Sequence, residues 1–144
     1  MSFRVNVKEE NRKLPISRGK LEAISLYAFS VTGKEEGEIS LVVCDDPFMT
    51  DLNERYTQNN GPTDVLAFPM REGEMLPQQG SEVGDIVISI DTAERQSKEL
   101  GTDLKQEVTV LFVHGLLHLL GYDHRTKDER MEMDEITNKI VTGV

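Results

Sequence analysis

Ile39-Ser40-Leu41-Val42-Val43-Cys44, followed at once by Asp45-Asp46-Pro47, is the stretch on which the fold turns. A short, nearly continuous, β-branched run belongs to a strand covered on both faces, so it reads as a central strand. Asp46-Pro47 then reads as a helix start. Asp46 would accept from free N–H groups, and Pro47 would fill the first helical position, where no donor is needed. Phe48, Met49, Leu52 and Tyr56 give this helix its buried side, and Asn59-Asn60-Gly61-Pro62 supplies the turn that ends it. A central strand running straight into a helix calls for helices packed on a sheet.

Working outward, Phe3, Val5 and Val7 alternate with polar residues, the period of a half-buried strand. Ser17 caps a helix with the stripe Leu21, Ile24, Ala28 and Val31, ending at Gly33. Downstream, Val65–Phe68, closed by Pro69, and Asp85–Ile90 read as strands. Met70–Ser81, polar and carrying Gly73, Pro77 and Gly80, reads as a long surface loop between them. Asp91/Glu94, Asp103/Gln106 and Thr126/Glu129 each have capping-box spacing and predict three further helices. The first would end near Leu100-Gly101 and the second near Leu120, while the third buries Met133, Ile136 and Ile140. The order is strand, helix, strand, helix, two strands, three helices, an α/β or α+β pattern with a small mixed sheet. No internal repeat or low-complexity tract interrupts it.

The 144 residues suit one domain spanning positions 1–144. The net charge of −10 argues against a protein that coats nucleic acid non-specifically, because that binding depends on clustered Lys and Arg. It leaves room for a local basic groove. The longest apolar stretch, Val108–Leu120, contains two histidines and is too short for a membrane helix, so no membrane association is expected. Met1–Glu10 lacks a signal-peptide core, and the expected location is cytoplasmic. The single cysteine, Cys44, lies in the central apolar run and reads as a buried, inert thiol.

All three histidines fall within His114-Gly115-Leu116-Leu117-His118-Leu119-Leu120-Gly121-Tyr122-Asp123-His124. Residues four apart on a helix lie one turn apart on nearly the same side, so His114 and His118 project together. Gly121 can adopt the left-handed conformation that stops the helix and turns the chain, which would bring His124 back toward the same point. A lone histidine on an apolar helix is ordinarily a hydrogen-bonded core residue. Three at this spacing predict a zinc site with three imidazole ligands and an open fourth position, the catalytic rather than the structural arrangement. Nickel or copper would accept the same donors. The spacing H-x-x-x-H-x-x-G-x-x-H is shared with the metzincin proteases, but they carry a general-base Glu directly after the first His, where this chain has Gly115. Glu107 lies on the same side of the helix but roughly 10 Å away along its axis. Asp123 can orient His124 or serve the turn. Asp64 and Asp85 stand at strand ends where a cleft could form, or satisfy loop backbone.

The segment His114–His124 matches residue for residue the H-G-x-L-H-L-x-G-Y-D-H signature of the YbeY endoribonucleases, bacterial rRNA maturation factors that this chain resembles over essentially its whole length. Pro62-Thr63-Asp64-Val65-Leu66-Ala67-Phe68-Pro69 is similar to the family's P-T-D-V-L-S-F-P, with Ala67 in place of Ser, and Gly84-Asp85-Ile86-Val87-Ile88-Ser89 also fits. The resemblance implies an α+β sandwich with a mixed four-stranded sheet, about five helices and a zinc-binding helix-turn in the C-terminal half. It implies a metal-dependent, single-strand-specific endoribonuclease processing rRNA, notably at the 3′ end of small-subunit rRNA, and acting in ribosome quality control. Its partners would be single-stranded RNA, the small ribosomal subunit and its assembly proteins. The metal ligands would be His114, His118 and His124, acting on substrate through one zinc ion. The family commonly has Arg after the Tyr that ends the second helix, where Tyr56 is followed here by Thr57. Arg55 and Arg71 are the nearby candidates for substrate contact, and each is also read as a solvated surface charge. The alternative is a zinc-containing ribosome assembly or binding factor without turnover.

Overall fold

The computed structural model describes residues 2–30, 36–69, 82–122 and 126–143. Four strands, β1 (Ser2–Glu10), β2 (Glu36–Cys44), β3 (Val65–Pro69) and β4 (Glu82–Ser89), form one sheet in the order β1-β2-β4-β3. β2 pairs in parallel with both β1 and β4, and β3 runs antiparallel to β4. The sheet is therefore mixed, with β2 inside it, as the Ile39–Cys44 run predicts. Five helices join it: α1 (Arg18–Ser30), α2 (Asp46–Tyr56), α3 (Ile90–Leu100), α4 (Leu104–Leu119) and α5 (Lys127–Gly143). The expected α+β fold is the observed one.

Strand alternation divides the side chains between two cores. Val5, Ile39, Leu41, Val43, Ile86 and Ile88, all at 0–1 % exposure, face α1, α4 and α5 together with Phe29 and Phe112. Burying each such side chain contributes about 1.5–3 kcal/mol. Cys44 and Val87 turn to the opposite face and pack against Met49 of α2, with Phe48, Leu52, Leu66 and Phe68 around them. α4 is the hub of the first core, touching β3, β4, α1, α3 and α5.

At Gly115, α4 crosses β4 with no room for a side chain, since a Cβ there would lie 2.8 Å from Ile86 Cγ2. The helix ends as the sequence implies. Gly121 has φ 98°, its N–H donates to the carbonyl of His118, and that of Tyr122 donates to Leu117. This pair of bonds closes the last turn on a left-handed residue.

The predicted boxes at Asp103/Gln106 and Thr126/Glu129 form in both directions, and Ser17 caps α1 through Lys20 N–H. Two other caps differ from expectation. Asp45 rather than Asp46 caps α2, accepting from Phe48 N–H. Asp46 is turned instead to Ser89, Thr92 and Arg95, whose side chains all donate to its carboxylate. Ser89 rather than Asp91 caps α3, because Asp91 accepts from the Asp46 N–H and pairs with Arg12, which also reaches Glu94. In both cases long-range partners claim the acid that local spacing assigns to the cap. Tyr56, expected on the buried side of α2, is 62 % exposed and meets Phe68 edge to face at its ring. Met70–Ser81, Val31 and Gly33 lie outside the described residues.

Candidate active site

His114 and His118 stand one turn apart on α4 and open into the same cleft, of about 350 Å³. Its other walls are Thr63, Asp64 and Val65 at the entry to β3, and Arg130, Met133 and Asp134 of α5. α4 can present these imidazoles because its neighbouring residues Leu111, Phe112, Gly115 and Leu116 are buried in the core, which fixes the rotation of the helix. Both rings are half-buried.

Asp64 is held in place on both oxygens. Oδ1 accepts from its neighbour's N–H, Val65, at 2.7 Å, and Oδ2 from Gln96 Nε2 at 3.3 Å. The main chain is pinned too, with the Asp64 carbonyl accepting from Ser89 N–H at 3.0 Å. Behind it, Glu107 on α4 is buried, and its carboxyl is pushed above the usual glutamate value by burial first and by the Asp64 charge second. Larger concavities elsewhere, one bounded by Lys20 and Lys105 and another by Arg12 and Lys13, hold no histidine. Chemistry rather than size marks the His114/His118 cleft.

Two imidazoles on one helical side suit a zinc ion by donor type and direction. Among the described residues no three His, Cys, Asp or Glu side chains come together as a metal site. The third expected ligand, His124, lies outside the described residues, as do Asp123 and Arg71. The turn at Gly121, three residues before His124, is formed as that expectation requires. Gly115 faces Ile86 rather than the cleft, so the position that carries a general base in metzincins has no space for a carboxylate here.

The family model described as Endoribonuclease YbeY matches residues 5–144. The chain belongs to the endoribonuclease YbeY family. It is 42 % identical over 143 residues to the Endoribonuclease YbeY of Aquifex aeolicus, covering 96 % of this chain and 90 % of that one. It is 37 % identical over 151 residues to the Endoribonuclease YbeY of Caldanaerobacter subterraneus subsp. tengcongensis, covering 95 % and 96 %. A solution structure of a Thermotoga maritima protein shares the fold at TM-score 0.63 and 19 % identity, covering 96 % of this chain and 90 % of that one.

Within this chain, the position after Tyr56 departs from the family's usual Arg, and Thr57 is absorbed by helix termination. Its hydroxyl donates to the Asn53 carbonyl at 2.7 Å. Arg55 pairs with Asp51 at 2.9 Å along α2, a helix packed on the sheet face away from α4, and is not brought to the cleft. Asp85 bonds Ser40 on that same far face, its carboxyl raised by burial with the serine working against the rise. Asp85, expected at a strand end, lies inside β4, which begins at Glu82, so of the two acids only Asp64 lines the cleft with the histidines. Reasoning from sequence missed Arg130 and Asp134, which α5 brings to the cleft from beyond the Gly121 turn. The signal available was the stripe Met133, Ile136 and Ile140: once that side is buried, positions 130 and 134 are placed beside it. Among the described residues no helix is long and apolar enough to cross a membrane.

Proposed function

We propose that this protein is a metal-dependent, single-strand-specific endoribonuclease that works in the cytoplasm on ribosomal RNA. It would act at the 3′ end of small-subunit rRNA and in ribosome quality control, alongside the small subunit and its assembly proteins. Residues 1–144 would serve as one metallohydrolase domain. The observation that carries the reading is the pair His114 and His118 opening into one cleft, in a chain that belongs to the endoribonuclease YbeY family.

His114, His118 and His124 would hold one zinc ion, with Asp123 orienting His124. When bound, zinc supplies a Lewis acid for a phosphoryl oxygen and favours ionisation of water. The remaining work falls to the chain. Asp64, fixed by Val65 and Gln96, offers an acceptor of set direction for a hydroxyl or water at the cleft floor. Thr63 adds a hydroxyl beside it. At about 350 Å³ the cleft is near the lower end of ligand-site volumes, roughly 300–1,000 Å³, which suits one splayed nucleotide.

The test is metal analysis of the purified protein together with cleavage of a labelled single strand and of the same strand in a duplex. The expected result is bound zinc and fragments from the single strand alone, with both lost in His118→Ala. A variant that cleaves as fast as the parent overturns the assignment. Bound metal whose removal unfolds the protein, co-sedimentation with ribosomes and no cleavage would favour the assembly-factor reading instead.

A further inference from the structure

We propose that Arg130 binds the RNA backbone in this cleft, its guanidinium contacting non-bridging oxygens of the phosphate that approaches His114 and His118; the inference rests on the nuclease reading above. The described walls of the cleft carry two carboxylates, Asp64 and Asp134, and one fixed cation, Arg130. A polyanion drawn to the histidines must pass those acids on a chain of net charge −10, so a cation on the cleft wall favours its binding.

Arg130 is available for that contact. Arg4, Arg12, Arg18, Arg55 and Arg95 each pair with a carboxylate. Arg130 is exposed and forms no ion pair among the described residues, although Asp134 lies one turn further along the same helix. Its position is built rather than incidental. The Thr126/Glu129 box sets the start of α5, Arg130 N–H donates to the Thr126 carbonyl at 3.0 Å, and Met133, 4 % exposed, anchors the next turn in the core. A guanidinium suits the role because its planar fork of donors matches two phosphate oxygens at once.

The experiment measures binding of a short single-stranded oligodeoxynucleotide, which presents the backbone without a 2′-hydroxyl, by fluorescence anisotropy across a salt series. Arg130→Ala should weaken binding about tenfold at low salt and make the log–log salt slope shallower by about 0.7, the loss of one phosphate contact. Arg130→Lys should recover the slope and part of the affinity. Arg4→Ala, the same charge change on β1, should leave the slope as in the parent. In RNA cleavage, Arg130→Ala should raise KM more than it lowers kcat. An Arg130→Ala slope equal to that of the parent overturns the inference, and it does so without touching the nuclease reading if the parent cleaves. A parent that binds with the Arg130-dependent slope but never cleaves overturns the nuclease reading and leaves the contact standing.

Discussion

Gly115→Ala tests how α4 is seated, and with it the placement of both histidines. A Cβ at this position would lie 2.8, 3.0 and 3.1 Å from Cγ2, Cδ1 and Cγ1 of Ile86, a residue with 0 % exposure. Three atoms of one fully enclosed side chain cannot all retreat by a rotamer change, so helix and strand must separate. Overpacking of this kind costs about 1–3 kcal/mol, and three simultaneous contacts place it near the upper end. Replacing Gly by Ala inside a helix returns about 1 kcal/mol. The clash wins, and the net loss is about 1–2 kcal/mol, or roughly 3–6 °C in Tm for a domain of this size. The decisive assay is a double-mutant cycle by urea unfolding. Ile86→Ala alone should cost about 2–5 kcal/mol. In that background the three offending atoms are gone, so Gly115→Ala should become stabilising by about 1 kcal/mol. A Gly115→Ala effect of the same sign and size in both backgrounds would refute the seating of α4 on Ile86.

Two further outcomes follow from acids at the core, Glu107 buried and Asp46 half-buried. Glu107→Gln should raise Tm at neutral pH: burial and the Asp64 charge raise this carboxyl, the folded state therefore holds its proton more tightly than the unfolded chain, and stability falls as pH climbs above the ordinary 4.5. The gain should fade below that value, and an equal gain in acid and at neutral pH would contradict the cause. Asp46→Asn should do the opposite. Burial disfavours the Asp46 charge, but donation from Arg95, Ser89 and Thr92 outweighs it and holds the carboxyl below its ordinary 3.8. Its contribution is full above that value and is lost as pH falls through the lower folded one, so the deficit of Asp46→Asn, read by urea unfolding, should be full at neutral pH and close in strong acid.

What could be read from the sequence was local, and what could not depended on distant partners. The Ile39–Cys44 run places β2 inside the sheet because an alternation-free apolar strand has no other stable location. The boxes at Asp103 and Thr126 form because, among the described residues, no remote group bonds those side chains. At Asp45-Asp46 two adjacent acids could each cap α2, and spacing cannot choose between them. The choice is made by Ser89, Thr92 and Arg95, more than forty positions away, which converge on Asp46. Tyr56 fits the apolar stripe of α2 by periodicity, yet it stands beyond the reach of the second core and leans on Phe68 at the rim. Periodicity gave the element order but left the class between α/β and α+β, and the family resemblance decided it for a mixed four-stranded α+β sandwich.

The site follows the same division. His114 and His118 are neighbours by helical geometry alone, whereas Asp64 joins them through the β3–α4 contact and Arg130 through the α4–α5 contact. α4 thus does two things with one rotation. Its Gly115 presses against Ile86 so closely that the helix can neither roll nor slide without opening the core, and that same restraint holds His114 and His118 toward the cleft. Imidazoles on a helix so constrained start close to the geometry an ion or a phosphate requires, and little ordering is left to be done when the ligand arrives. The absence of a side chain at position 115 therefore acts twice over: it closes the position to a protease-like carboxylate, and it draws the histidine-bearing helix tight against the sheet.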